Sequence, residues 1–319
     1  MADRRSRLIE VFEDTVQFLR EEPALRAAVA YGRVNTRFYD DDDYPKLPER
    51  GGAISGTATG KKKKKKGKEA AGAAGTVPEE MPGKSRKAEI RVTKYRTFES
   101  AEKLHAEFPE KRIAVLNFAS AIRPGGGVKM GSSAQEESLC RCSTLFPTLD
   151  RRWLWQCFYD VNRVMKDVRH TDACIYSPKV LICKTDEDIP ARMDPEEFVQ
   201  VDVISCAAPN LRNEPAGGMN PETGKAVRME PEELYRLHLQ RAKHILHVAA
   251  ANGAEILVLG AFGCGAFAND PHYVAAAYRD ALEEYLEWFS VVEFAVWCKG
   301  YETENYKAFE EKMTMYTEA

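Results

Sequence analysis

Two apolar runs in this chain each lead directly into a glycine-rich segment, and this repeated pattern restricts the possible folds most strongly. The first run, residues 113–118, leads into Pro124-Gly-Gly-Gly127. The second run, residues 256–259, leads into a segment with three glycines between residues 260 and 265. Short apolar runs that end at turn residues indicate buried strands. Since such strands alternate with amphipathic helices along the chain, the sequence predicts an α/β fold whose sheet is covered on both faces.

Apolar spacing predicts the other elements. Helices are expected at residues 7–22, 99–107, 133–146, 152–166, 230–252, 271–287 and 303–313, and strands at residues 90–95, 113–118, 173–176, 180–183, 199–206, 256–259 and 291–297.

The first glycine segment carries the strongest indication of function. Three consecutive glycines leave no side chain between the backbone and an approaching ligand, and they allow positive φ angles that other residues resist. An amide and two acids, Gln135, Glu136 and Glu137, begin eight residues after the last of these glycines. A bare backbone cradle beside paired carboxylates suits a hydrolase that acts on a carbohydrate or a nucleotide.

A purely structural interpretation of the same residues is open. Ser133-Ala-Gln-Glu136 fits the capping box, in which a serine caps a helix and a glutamate three residues later returns the bond. Ser132 and Gln135 fit the same pattern one residue earlier. Glu137 lies outside it. Because successive helical residues point about 100° apart, one acid could serve the cap while the other faces a cleft.

The second glycine segment resembles an anion site. Its loop, residues 260–269, precedes a helix that is predicted to begin at Asp270 and Pro271. Loop amides and a helix N-terminus together attract phosphate groups. Residues 263–268 partly fit the dinucleotide-binding fingerprint, but the acid expected about 20 residues later, at the end of the next strand, is missing. Since open α/β sheets bind ligands beyond the carboxyl ends of their strands, both glycine segments should frame one cleft.

The combination of Asn117-Phe-Ala-Ser120, Pro-Gly-Gly-Gly and Gln-Glu-Glu resembles the signature of microbial-type poly(ADP-ribose) glycohydrolases, which are built on a macrodomain. The resemblance implies a three-layer α/β/α sandwich with a mixed central sheet and an N-terminal helical extension. It also implies hydrolysis of ribose–ribose O-glycosidic bonds with release of ADP-ribose. Two other functions stay open: a non-catalytic ADP-ribose-binding module, and a hydrolase of mono-ADP-ribosyl groups or of ADP-ribose phosphate.

Residue roles follow from the resemblance. Glu137 would be the acid–base catalyst and Glu136 would fix the ribose hydroxyls. Phe267 would be the aromatic residue that packs near the distal ribose, although Phe262 could equally make that contact. A helix N-terminus favours an ionised carboxylate, whereas a general acid must start protonated, so the sequence leaves the protonation state open. Substrate contacts are implied at Asn117, Gly125, Gly126, Gly127, Gln135, Gly263, Cys264, Gly265, Ala266 and Phe267.

Composition divides the chain into three parts. Residues 1–50 are expected to form the helical extension, residues 51–87 a disordered Lys/Gly/Ala-rich insertion, and residues 88–319 the catalytic domain. The insertion holds ten basic and three acidic residues, so its net charge is +7. Since the whole chain has a net charge of −3, the rest of the chain has a net charge of −10. Its lysine run, residues 61–66, is compatible with a nuclear-import signal, a polyanion tether or a tolerated loop expansion.

Other classes of site and location receive less support. The sequence has no run of 18 apolar residues, so no membrane span is expected. No cofactor is expected, and no metal either, since His244 and His247 have no evident third ligand. Eight scattered cysteines without a Cys-x-x-Cys pair indicate free thiols in a reducing compartment. We therefore expect an intracellular monomer, cytoplasmic or nuclear, whose partners are poly(ADP-ribose) and ADP-ribosylated proteins and whose setting is the DNA damage response.

Overall fold

The computed structural model describes residues 3–48, 88–215, 224–301 and 303–317. The insertion predicted at residues 51–87 lies outside the described residues. The strands are β1 (Arg37–Tyr39), β2 (Glu89–Thr93), β3 (Ile113–Phe118), β4 (Cys174–Ile182), β5 (Val199–Cys206), β6 (Ile256–Leu259) and β7 (Val291–Ala295). The helices are α1 (Arg4–Glu21), α2 (Pro23–Asn35), α3 (Thr97–Glu107), α4 (Gln135–Cys142), α5 (Phe146–Leu149), α6 (Arg152–Leu154), α7 (Asp160–Met165), α8 (Pro231–Ala251), α9 (Pro271–Leu282) and α10 (Glu304–Thr317), with a π-helical turn at Trp155–Tyr159.

The seven strands form one mixed sheet in the order β1-β4-β5-β3-β6-β7-β2. Strands β5, β3, β6, β7 and β2 run parallel, whereas β4 is antiparallel to β5 and β1 is antiparallel to β4. Adjacent parallel strands end at the same edge of a sheet. The loops that follow β3, β5, β6 and β7 therefore leave the sheet side by side.

Side chains alternate between the two faces of the sheet, as the pleat requires. In β3, Ala114 and Leu116 belong to a core shared with α8, α9 and α10, whereas Ile113 and Val115 belong to a core shared with α1 and α3–α6. Because both faces of the strand are buried, its first four residues are continuously apolar rather than alternating. This three-layer α/β/α arrangement confirms the predicted fold class.

The N-terminal segment contacts the rest of the fold at three places. Phe12 of α1 packs edge-on against Phe146, with the ring centroids 5.1 Å apart. The buried ammonium group of Lys184 donates to the carbonyl of Val11 at 2.9 Å. Further along, β1 adds an edge strand beside β4. Neither α2 nor β1 was predicted, because α2 buries only Leu25 and one glycine and so has almost no apolar stripe.

Two predicted elements differ from the structure. The strands expected at 173–176 and 180–183 are one strand, β4, with a register shift between Ser177 and Val180. Pro178 lacks an N–H donor and Lys179 has a φ of 54°, and this bulge hides the alternation of the strand. The helix expected at 133–146 ends at Cys142, because Ser143 is extended and pairs with Ile182.

Candidate active site

Both glycine segments lie at the edge of the sheet where β3 and β6 end. The two strands are parallel neighbours, with Val115 opposite Val258. A Cβ atom on Gly260 would lie 3.0 Å from the ring of Phe118, and the rings of Phe118 and Phe262 are 5.5 Å apart between centroids. The structure thus brings together the two segments that the sequence places more than a hundred residues apart.

The first glycine segment turns its backbone toward the two glutamates. Gly125 and Gly126 have φ angles of 66° and 51°, which non-glycine residues adopt only with strain. In this conformation the N–H of Gly125 donates to Oε1 of Glu136 at 3.2 Å, and the N–H of Gly127 donates to Oε1 of Glu137 at 2.8 Å. Backbone amides therefore hold both carboxylates on one side of the loop.

Glu136 is the more enclosed of the two acids, with 3% of its surface exposed. Its Oε2 accepts from the N–H of Ser120 at 2.7 Å, and its Oε1 lies 3.4 Å from the side-chain amide of Asn117. The capping interpretation is wrong for these residues. Helix α4 is capped by Ala134 without any side-chain bond, because the carboxylate of Glu136 points across to the loop after β3 instead of back along its own helix.

Glu137 is held by one oxygen only. Its carboxylate is buried, yet within the described residues Oε2 has no hydrogen-bond partner. An unpartnered carboxylate oxygen in a buried position is unfavourable unless a ligand or a proton satisfies it. Oε2 is therefore the oxygen of Glu137 that is left to bond with a ligand.

Gln135 and Asn117 connect the helix of the acids to the end of β3. The Gln135 side chain accepts from the N–H of Phe118 at 2.8 Å and donates to the carbonyl of Leu116 at 2.7 Å. Asn117 donates to Oγ of Ser205 at 2.9 Å. Both amides act on neighbouring protein groups in this state, so they fix the place where α4 begins relative to the sheet.

Burial, followed by the negative charge of Glu137, raises the pKa of Glu136 to about 8, although the bonds from Ser120, Asn117 and Gly125 oppose this shift. Two carboxylates this close do not both ionise readily. At neutral pH the pair therefore retains a proton, although the helix N-terminus favours the ionised form. Loss of solvent at Glu136 therefore outweighs the preference of the helix N-terminus for an ionised carboxylate.

The raised pKa of Glu136 makes stability depend on pH. Between about pH 5 and about pH 8 the folded protein keeps a proton that the unfolded chain releases, so this contribution to stability is lost as the pH rises. We expect Glu136→Gln to remove it. The free energy of unfolding of wild type relative to Glu136→Gln should fall by a few kcal/mol over this range, at about 1.4 kcal/mol per pKa unit.

Urea denaturation of both proteins across this pH range measures that difference directly. The pKa of Glu102 is also raised, to about 7, but its contribution is common to both proteins and cancels. A difference that stays constant from about pH 5 to about pH 8 would contradict the assignment.

The second glycine segment is shaped by Asn269. Its side-chain amide donates to the carbonyls of Pro209 at 2.7 Å and Gly263 at 3.0 Å, and its Oδ1 lies 2.8 Å from Nε2 of His238. Gly263 has a φ of 78°. Helix α9 begins as predicted, with the Asp270 side chain accepting from the N–H of residue 272.

The residues of this segment differ in accessibility. Gly265 and Ala266 are exposed, and no atom of the described residues lies within 4 Å of a Cβ built on Gly265. Cys264 is half-buried. Phe267 is also half-buried, with the guanidinium of Arg212 5.7 Å from its ring centroid. Phe262, by contrast, is fully buried, so Phe267 is the more accessible of the two aromatic rings.

Sequence reasoning missed two arginines that support the loop between the three glycines and α4, residues 128–134, which we call the catalytic loop. Arg5 of α1 donates from Nε to the carbonyl of Met130 at 2.7 Å. The buried Arg141 of α4 donates from Nη1 to the carbonyl of Ser132 at 2.7 Å. The loop between the glycines and α4 is thus bonded from two sides. Neither contact has a signal in the sequence, since both acceptors are backbone carbonyls and the carbonyl that Arg5 contacts is 125 residues away.

Two further searches give negative results for the described part of the chain. Residues 3–48, 88–215, 224–301 and 303–317 contain no group of three or more His, Cys, Asp or Glu side chains that could hold a metal ion. In the same ranges no helix has the length and apolar character needed to cross a membrane.

Comparisons with known proteins agree with this geometry. The model of the microbial-type PARG catalytic domain matches residues 14–185, which is more than half of the chain. The crystal structure of poly(ADP-ribose) glycohydrolase from Thermomonospora curvata, bound to the inhibitor ADP-HPD, superposes with a TM-score of 0.70. Its sequence is 27% identical, over 98% of this chain and 100% of that chain.

The poly(ADP-ribose) glycohydrolase from Deinococcus radiodurans in complex with ADP-ribose superposes with a TM-score of 0.65 at 29% identity, over 91% of this chain and 98% of that chain. Curated proteins gave no match. The family match covers the glycine segment, both glutamates and the arginine-supported loop, and this protein belongs to the microbial-type poly(ADP-ribose) glycohydrolase family.

Proposed function

We propose that this protein hydrolyses the ribose–ribose O-glycosidic bonds of poly(ADP-ribose) and releases ADP-ribose. The observation that carries the proposal is the buried pair Glu136 and Glu137, each bonded to an amide of the glycine segment, with one carboxylate oxygen left without a partner among the described residues. A module that only binds ADP-ribose has no need of two buried acids. Burying them without a catalytic use would be costly.

The chemistry needs one group to protonate the leaving oxygen and to activate water. Cleavage passes through an oxocarbenium-like transition state at the anomeric carbon. In our proposal the proton that the carboxyl pair retains is delivered by Glu137 to the leaving ribose oxygen as the glycosidic bond breaks. The resulting carboxylate then takes a proton from the water whose oxygen bonds to the anomeric carbon. Glu136 fixes the ribose hydroxyls, for which its amide-bonded carboxyl is held rigidly.

The rest of the substrate follows the edge of the sheet. We propose that Gly125, Gly126 and Gly127 surround the distal ribose, with Asn117 and Gln135 behind them. The diphosphate would lie on the loop that contains Gly263, Cys264, Gly265, Ala266 and Phe267. Open space above Gly265 and the N-terminus of α9 support this assignment, because loop amides at a helix start attract phosphate groups.

The division of the chain, the oligomeric state, the location and the partners of the protein are also proposals. We propose a division into an N-terminal extension (residues 1–50), an insertion (51–87) and a catalytic domain (88–319), and a monomer as the working state. An intracellular location is supported by eight cysteines that are all free, five of them buried. ADP-ribosylated proteins would be the partners, and a role in the DNA damage response follows only from the activity.

Product analysis tests the proposed function. Incubation with purified poly(ADP-ribose) should release ADP-ribose, detected by chromatography, and Glu137→Gln should abolish most of the release. Parallel incubations with a mono-ADP-ribosylated peptide and with ADP-ribose 1″-phosphate test the alternative hydrolase activities. Binding of ADP-ribose without release from any of the three substrates would favour the non-catalytic module.

A further inference from the structure

A cavity of about 310 Å³ lies between the start of α1 and the loop that leads into α4. It is lined by Arg4, Arg5, Leu8, Gly131, Ser132 and Ser133. The arginines come from the first turn of α1, and the glycine and serines come from the loop that leads into α4. Cavities of about 300 Å³ and more are the size of small-ligand sites, and this one has two cations and two hydroxyls in its wall.

One residue of the cavity wall, Ser132, lies next to Gly127, whose N–H is bonded to Glu137. A Cβ atom on Gly127 would lie 2.2 Å from Oγ of Ser132, and the N–H of Gly127 holds the carboxylate of Glu137. Helix α1 touches the same loop, since a Cβ on Gly131 would lie 2.4 Å from the carbonyl of Arg5. A polymer whose scissile bond lies at Glu137 therefore passes close to this cavity.

The charge of the first turn of α1 is opposite to what helix stability favours. A helix N-terminus is stabilised by acids and destabilised by cations. Here the first turn has no acidic residue, although Asp3 caps it, and instead contains Arg4, Arg5 and Arg7. The rest of the protein outside residues 51–87 is acidic, so this concentration of positive charge beside the active site is a local exception.

Arg4 is able to exchange its present partner for a phosphate. Its ion pair with Asp188 is 3.3 Å long and both side chains are more than half exposed, at 56% and 67%. Exposed pairs of this kind contribute little to stability. Asp188 also pairs with Arg96 at 2.6 Å, so it keeps a cation when Arg4 turns toward the cavity.

We propose that this cavity is a second substrate subsite, which binds the diphosphate of the ADP-ribose unit on the leaving side of the scissile bond. The inference rests on the proposed function, because it places the polymer by its reacting bond at Glu137. The leaving unit begins with the ribose whose oxygen accepts the proton, and its diphosphate is attached to that same ribose. Arg4 provides charge-assisted bonds to the phosphate oxygens, and the serine hydroxyls of the loop add neutral ones.

The test compares binding of one unit with binding of several. All proteins carry Glu137→Gln, so that the polymer survives the measurement, and the dissociation constants for ADP-ribose and for a purified poly(ADP-ribose) oligomer of defined length are determined by calorimetry. Adding Arg4→Glu should weaken oligomer binding at least about fivefold at about 50 mM salt, and less at about 200 mM. The ADP-ribose constant should stay within twofold.

Arg20→Glu is the matched control, because it makes the same charge change in the exposed last turn of the same helix. It should change neither constant. Equal weakening by Arg20→Glu, or an unchanged oligomer constant in Arg4→Glu, would overturn the subsite and leave the proposed function intact. Parallel weakening of both ligands in Arg4→Glu would also overturn it. Failure of the Glu137→Gln parent to bind ADP-ribose would count against the proposed function itself.

Discussion

Replacing Glu137 by glutamine is expected to lower turnover of poly(ADP-ribose) at least about 100-fold, the lower range for loss of general acid–base catalysis. The amide has nearly the shape of the carboxyl group but cannot deliver a proton to the leaving oxygen. The bond from the N–H of Gly127 reaches Oε1, and the amide oxygen of glutamine can accept it. ADP-ribose affinity should therefore be nearly retained. Steady-state release of ADP-ribose and calorimetry with ADP-ribose measure the two effects separately.

Glu110→Gln provides the control for this variant, because it replaces a glutamate by glutamine at an exposed position. It should behave as wild type. A Glu137→Gln protein with wild-type turnover would remove Glu137 from the mechanism. Equal losses of turnover and of ADP-ribose affinity would assign Glu137 a role in binding and leave the acid–base step to another group.

Adding a single methyl group at Gly126 is expected to reduce turnover by about 100-fold or more, the size of effect that a shift of about 1 Å in a catalytic group can have. The Cβ of Gly126→Ala would lie 2.6 Å from Oε1 of Glu137 and 3.1 Å from Oε2 of Glu136. Neither carboxylate can retreat freely, because both are buried and bonded to backbone amides. The positive φ of Gly126 adds strain of about 1–2 kcal/mol.

Rate measurement together with the melting temperature separates these effects. We expect the protein to fold with a modestly lower melting temperature and to lose nearly all activity. Gly300→Ala is the comparison, since no atom lies within 4 Å of a Cβ at that exposed glycine, and it should leave both quantities unchanged. A folded Gly126→Ala protein with normal turnover would show that the carboxylates do not need their present positions.

The sequence by itself determined the layers of the fold and the neighbourhood of the site. Continuous apolar runs at residues 113–116 and 256–259 predict doubly buried strands, because a strand covered on both faces can be apolar at every position. The proximity of Gln135, Glu136 and Glu137 to the three glycines is likewise a local property of the chain. The start of α9 at Asp270 follows from a cap residue and a proline, both of which act within one turn.

Tertiary structure alone decided which groups each site residue contacts. The capping pattern around Ser133 is present in the sequence but is not used, because the backbone of Ser120 and Gly125 offers the Glu136 carboxylate better partners across the cleft. Phe262 and Phe267 look equivalent in the sequence, yet only one faces the core on all sides. Such choices depend on which distant segment arrives at the same place.

The same reason explains what the sequence missed entirely. Strand β1 has three residues and forms only because β4 offers an open edge. The bonds from Arg5 and Arg141 to the catalytic loop join a helix surface to backbone carbonyls, and carbonyls have no side-chain signature. Local patterns record which surface a residue buries. The partner that it meets there is determined by the packing of the whole sheet and its helices.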